Sequence, residues 1–205
     1  MLRTTVVSNI EGVDRWLPAL PSVAYAVQSV GADFQLDLDG ADALLVPNGS
    51  DHVAMHRNRE RVRTFLEAGH ALLCFDGWFT DWIPGNRWVL DNTKVTRDWR
   101  YFVRTDRYGL FDGFDLDALN FSQGMSGWWA CGYIDAAADA DVLLVDTWGR
   151  PMMVLDESTT AGTMILTASG PLPGLQPDDP LSGLYHRLLV HLQARVTTSL
   201  AQQAT

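Results

Sequence analysis

The alternation of apolar and polar positions divides the chain into short strands and a few helices. "RTTVVSN" at 3–9 is a β-branched run closed by polar residues, and it predicts a buried first strand. The following "VDRWLPALPSVAYAVQSVG" has helical spacing interrupted at Pro18 and Pro21, which predicts a helix from about Pro21 to Gly31. In "ADFQLDLDG", Phe34, Leu36 and Leu38 alternate with polar residues as in a half-exposed strand; "ADALLVPNGS" is continuously apolar before it breaks into turn residues, as in a central parallel strand. Val62, Phe65 and Leu66 fall at helical spacing between Asn58 as N-cap and Gly69 as C′ residue, and "HALLCFDG" follows as the next buried strand. Residues 78–126 lose this regularity and predict a long excursion rich in Trp, Asp, Arg and Gly, with a strand in "DWRYFVRT" at 98–105. Beyond it "GWWACGYI", "ADVLLVDTW", "GRPMMVLDE" and "AGTMILTASG" predict strands, with "WGRP" at 148–151 as a hairpin turn. Leu184, Leu188, Leu189 and Leu192 make an amphipathic helix near the end, before a polar tail at 198–205 that is expected to fray.

This order of strands and helices predicts an α/β protein: a three-layer open, mostly parallel sheet of flavodoxin-like type, extended by a C-terminal antiparallel hairpin. A single domain over 1–197 is expected, because 205 residues suffice for one core and the chain shows no repeat or low-complexity linker.

Composition narrows the partners. With 47% hydrophobic and 20% charged residues the chain belongs with packed proteins. A net charge of -10 repels polyanions, so nucleic acid is not an expected partner. The basic run "HRNRERVR" at 56–63 interleaves its charges as a solvated helix face does. Cys74 and Cys131 are too few for a disulfide framework and suit a reducing compartment. No run is long and apolar enough for a membrane helix, and "MLRTTVVSNIEGV" lacks the apolar centre of a signal peptide, so a cytoplasmic protein is expected.

Three stretches carry a family resemblance: "DALLVPNGSD", "VRTFLEAGHALLCFDGW" and "VLLVDTWGRPMMVLDESTTAGTMILTASGP". In wording and order the chain resembles the class I glutamine amidotransferase-like superfamily, and within it the trehalose-utilisation (ThuA-like) branch. The resemblance implies an elbow after the "HALLCF" strand, with Cys74 at the place of the nucleophile. It also implies a His-x-Glu motif after the last strand, to deprotonate that cysteine and orient the histidine. The chain departs from the pattern at both places. Leu72 and Asp76 flank Cys74 where the family has glycines, and residues 167–174 read "TASGPLPG", with neither His nor Glu. The Cys-His-Glu triad is incomplete, and Cys74 is open to reading as core or pocket lining.

Ligands of open α/β sheets bind beyond the carboxyl ends of the strands. That rule selects Asn9 after the first strand, Asn48, Gly49, Ser50, Asp51 and His52 after the third, Asp76, Gly77 and Trp78 after the fourth, and Ser169 and Gly170 after the last. Asp51, His52 and Asp76 could form a general base with an orienting carboxylate, whereas the plainer reading makes Ser50 or Asp51 a helix cap. His52 and His56 have the i, i+4 spacing of a metal pair, but no third ligand accompanies them, so neither metal nor cofactor is expected. Seven of the eight tryptophans, at 78, 82, 88, 99, 128, 129 and 148, lie between the fourth strand and the hairpin. Their flat faces suit sugar rings, which adds Trp128 and Trp129 to the ligand-binding candidates; a homo-oligomer interface uses such residues equally well. The expected function is binding or processing of a small polar, carbohydrate-related metabolite. The alternatives are a non-catalytic scaffold or ligand-sensing subunit, and a Cys74-dependent hydrolase.

Overall fold

The computed structural model describes residues 1–9, 11–75, 77–121, 129–170 and 180–203. Its strands are β1 (Leu2–Ser8), β2 (Val23–Ser29), β3 (Ala43–Val46), β4 (Ala71–Phe75), β5 (Arg87–Leu90), β6 (Tyr101–Val103), β7 (Gly132–Asp135), β8 (Asp141–Asp146), β9 (Pro151–Asp156) and β10 (Thr163–Thr167). The helices are α1 (His52–Arg57), α2 (Arg59–Glu67), α3 (Asp117–Phe121) and α4 (Pro180–Gln203). Eight strands form one sheet in the order β2-β1-β3-β4-β10-β9-β8-β6, and β5 and β7 pair as a separate antiparallel ribbon. From β2 through β10 the pairing is parallel, and from β10 outward to β6 it is antiparallel. The open, mostly parallel sheet with a late hairpin extension is thus present as the sequence predicts.

Every residue of β3, β4 and β10 is buried. Successive strand side chains point to opposite faces, so both faces of the sheet centre are covered, which accounts for the continuous apolar runs of these strands. Leu44, Leu72 and Leu166 have no exposed surface. The helix α2 packs on β4, and α4 packs on β4 and β10. Gly69 ends the helical stretch at φ 83°, in the left-handed conformation that a C′ residue adopts.

Two elements differ from expectation. The helix predicted for 21–31 is instead β2, which pairs in parallel with all of β1, from Leu2 beside Val23 to Ser8 beside Ser29. The helical spacing there coexists with alternation at Val23, Tyr25 and Val27, and the seven-residue ladder with β1 favours the alternation. The strand predicted at 32–40 is coil. Both sides of β1 are occupied, by β2 and β3, and the backbone at 34–36 bonds to a side chain instead. Asn58 Oδ1 accepts from Leu36 N–H at 3.0 Å, and its Nδ2 donates to Phe34 O at 3.4 Å and to Ala54 O at 2.9 Å. Asn58 stands at the N-cap position of α2, yet its side chain makes no cap bond there.

The strand expected within 98–105 is β6, on the outer edge of the sheet, and the excursion also supplies β5 and α3. The hairpin turn is closed by Asp146 N–H to Arg150 O at 3.0 Å, with Gly149 at φ 78°. The last helix runs to Gln203, past the point at 198 where fraying is expected.

Candidate functional site

The parallel strands β1, β3, β4 and β10 end on the same edge of the sheet, and the segments that follow them gather there. Asn9 is exposed, Asn48 half-buried and Gly49 exposed, the last at φ 75° in the turn leaving β3. Ser50 is buried; its hydroxyl lies 2.6 Å from Pro47 O and 3.2 Å from Val7 O, so it donates into the backbone and ties the β3 loop to the end of β1. Asp51 caps α1: Oδ1 accepts the amides of Val53 and Ala54, each at 2.9 Å.

His52, the first residue of α1, is 5% exposed. Trp82 Nε1–H donates to its Nδ1 at 3.2 Å, and the two rings stack with centroids 5.9 Å apart. An indole N–H can only donate, so neutral His52 carries its proton on Nε2 and presents that nitrogen as a donor. The Nδ1 lone pair, the one position at which this tautomer could take up a proton as a base, is engaged by Trp82. Thr80 Oγ1 donates to His52 O at 2.8 Å, fixing the start of α1 against the segment after β4. His56 faces the same segment, with Nδ1 at 3.1 Å from Asp81 O. Among the described residues no three His, Cys, Asp or Glu side chains gather as a metal site.

Cys74 lies within β4, between Val46 of β3 and Leu166 of β10, and has no exposed surface. Its neighbour Phe75 meets Tyr185 of α4 with centroids 5.4 Å apart, so Cys74 points to the opposite face of the sheet, not along the strand axis. The left-handed backbone that an elbow nucleophile requires occurs three residues later, at Gly77 with φ 70°. Gly77 has no side chain to offer as a nucleophile, and a Cβ built there would meet Phe79 Cζ at 3.6 Å. The structure therefore separates Cys74 from the elbow at which the family resemblance places it. Asp76 and Trp128 lie outside the described residues.

Trp78 is buried at 2% exposure, and its indole N–H has no acceptor among the described residues. Trp129 is half-buried and packs edge-on against Phe121 at 5.6 Å. The aromatic surface at the strand ends comes instead from residues the strand-end rule does not select. Phe79 is 73% exposed, and its ring stands edge-to-face with His52 at 6.2 Å and with Trp88 at 5.2 Å. Trp88 Nε1–H donates to Ala168 O at 3.3 Å, joining the β5–β7 ribbon to the end of β10. Ser169 is buried, with Oγ 2.5 Å from Tyr101 Oη, while Ser169 O accepts from Thr167 Oγ1 at 2.6 Å. Gly170 follows, buried, at φ 111°. "DGWFTDWIPGNRW" holds the signal for Phe79, Trp82 and Trp88, since it mixes aromatic and polar residues directly after a central strand. Tyr101 has no such signal, because its place depends on where β6 joins the sheet.

These parts make a mixed wall: Phe79, Trp82, Trp88 and His52 as stacked and edge-on rings, with the Ser169 hydroxyl just after β10 bonded to that of Tyr101 on β6. Its exposed member, Phe79, can cover the apolar face of a ring-shaped ligand, and the other rings and the two hydroxyls are buried behind it.

No protein-family model and no curated protein sequence matches the chain. Solved structures do. A cytoplasmic protein of Salmonella typhimurium LT2 superposes with a TM-score of 0.66 at 10% identity, over 93% of this chain and 99% of that one. A glutamine amidotransferase of Thermotoga maritima gives 0.57 at 8% identity, over 98% of this chain and 89% of that one. A ThuA-like protein of Bacteroides uniformis ATCC 8492 gives 0.50 at 11% identity, over 91% and 89% of the two chains. At these identities the likeness speaks for architecture alone. The chain has the glutamine amidotransferase-like α/β fold that ThuA-like proteins share.

Proposed function

We propose that the chain binds a small polar metabolite with an apolar face, of carbohydrate type, at the carboxyl ends of β1, β3, β4 and β10, and acts as a ligand-sensing or scaffold subunit. The carrying observation is the ring cluster around His52, in which a Phe79 side chain 73% exposed stands edge-on to the buried His52 and Trp88 rings, with the buried Trp82 stacked on His52. A large exposed aromatic is costly to keep in water and well placed to cover a sugar face. Three features favour binding over amide hydrolysis: Cys74 enclosed in the ladder, Asp51 engaged as a cap, and His52 Nδ1 engaged by Trp82.

Intrinsic tryptophan fluorescence, titrated with mono- and disaccharides, tests the reading. A saturable change in the wild type that weakens about fivefold or more in Trp82→Ala and Phe79→Ala is expected, the loss of one ring from the cluster being worth about 1 kcal/mol or more. Iodoacetamide labelling tests the hydrolase alternative in the same samples. Cys131, which is exposed, should react in the native protein and Cys74 only on unfolding. Rapid native labelling of Cys74 below pH 8, or no response to any sugar, would overturn the proposal.

A further inference from the structure

Among the described residues, the outer edge of the sheet at β2 is left without the devices that usually blunt an edge strand. The β1–β2 connection contains no helix longer than the four-residue 3-10 turn at Val13–Trp16, and the β2–β3 connection is coil. Ala24, Ala26, Val27 and Ser29 are exposed in consequence. The strand reads VAYAVQS, without charge, proline or bulge, in a chain of net charge -10. Natural edge strands are ordinarily short, charged, kinked or covered, because their unpaired backbone groups are a template for another strand. Among the described residues no strand pairs with the outer side of β2.

The phase of the ladder says which backbone groups are free. Leu2 N–H donates to Ser22 O, and Val30 N–H donates to Ser8 O, so the even-numbered residues of this segment bond inward to β1. Tyr25, Val27 and Ser29 therefore turn their N–H and C=O groups outward. This set is symmetric about Val27. An antiparallel second copy with Val27 opposite its own mate places Tyr25 opposite Ser29 of that copy. All three outward positions then form hydrogen-bonded pairs, each exchanging two bonds. Ala26 and Gln28 become cross-strand neighbours, and no like charges meet.

We propose that β2 is a self-pairing edge, joining two copies of this chain through an antiparallel ladder centred on Val27 and continuing the sheet across a two-fold axis. A closed, isologous contact of this kind consumes the free edge on both copies and stops there.

Light scattering or sedimentation of the full chain, from about 1 to 200 μM, should show a mass rising to twice the chain's 22.7 kDa. Val27→Pro removes the donor at the axis without removing a bond to β1, since that N–H points outward. Two bonds are lost per dimer, so dissociation should strengthen at least about tenfold. Val27→Lys places like charges opposite one another and should act in the same direction, which keeps the test valid if the proline variant fails to fold. Amides 25, 27 and 29 should gain hydrogen-exchange protection as concentration rises. A monomer throughout the range overturns the proposal, as does a dimer that both variants form with the wild-type constant. Concentration-independent exchange at these amides, with the edge taken up by an extended segment of another protein, would equally overturn it.

Discussion

Asp51 shows how one carboxylate decides between catalysis and architecture. Its backbone is extended, at φ -76° and ψ 93°, which turns the side chain back over the first turn of α1, where Oδ1 takes the amides of Val53 and Ala54. Asp51→Ala should lower stability by about 0.5–2 kcal/mol, whereas Asp51→Asn, an equally good cap, should stay within a few tenths. Urea unfolding measures both. If the Asn variant keeps its stability yet loses sugar-induced fluorescence, the carboxylate acts on the ligand and the cap is secondary. The sequence offers Asp51 and His52 as neighbours, and nothing in it says that they diverge. The divergence arises because one residue is the extended cap and the next is the first helical residue, turned toward Trp82. Cys74 is a similar case: a strand ending in Cys, an acid and a glycine is legible, but only the ladder shows that the strand continues to Phe75 and that the left-handed turn falls on Gly77. The candidate site is thus legible as a place, through the rule about strand ends, more than as a set of roles.

At the scale of elements, legibility follows how many contacts each segment owes to its own sequence. The runs at β3, β4 and β10 are apolar on both faces and can only be central strands. The segments β2 and 32–40 carry mixed periodicities, and their fates depend on β1 and Asn58, which lie far away in sequence. The β8–β9 hairpin shows how a turn predicted from "WGRP" is held in place. Arg150 Nε donates to Asp146 Oδ2 at 2.7 Å and Nη1 to Asp91 Oδ2 at 2.6 Å, and the guanidinium lies 5.0 Å from the Trp99 ring and 5.3 Å from Trp148. The Asp146 side chain has no exposure at all. Arg150→Ala would leave that carboxylate without its cation and should cost about 3–5 kcal/mol. Arg150→Lys should recover only part of this, because an ammonium cannot bridge two carboxylates in the planar fork or stack on indole. Denaturant midpoints with unchanged slopes would measure both; a loss below 1 kcal/mol in the alanine variant would show that the Trp148 and Arg150 amides alone satisfy Asp146.

For the molecule as a whole, charge and burial set how stability varies with pH. His70, at the start of β4, stacks on Phe65 at 4.4 Å, and burial holds its pKa below the ordinary 6.5 despite the nearby Asp42, with Arg3 also opposing protonation. His191 on α4 is likewise lowered by burial, which outweighs Glu157; Arg195 and Arg107 act in the same direction as burial, and Tyr108 packs against the ring at 4.5 Å. For both, the unfolded chain binds a proton at higher pH than the folded one. Stability is therefore fully present above about 6.5 and is lost as pH falls through the lower folded values. Asp42 adds a separate limb: its hydrogen bond with Arg3 holds its pKa below 3.8, so its contribution persists above that value and disappears only in stronger acid. Approach to the isoelectric point near 4.7 relieves the self-repulsion of a chain at -10 and acts in the opposite sense. The difference between wild type and a His70→Gln, His191→Gln double variant isolates the histidines, because the background charge is common to both. Urea unfolding at pH 7.5, 6.5 and 5.5 should show the wild type losing stability relative to the double variant as pH falls. A difference that stays constant would mean that both imidazoles gain protons as readily folded as unfolded, and that their burial does not govern the acid response.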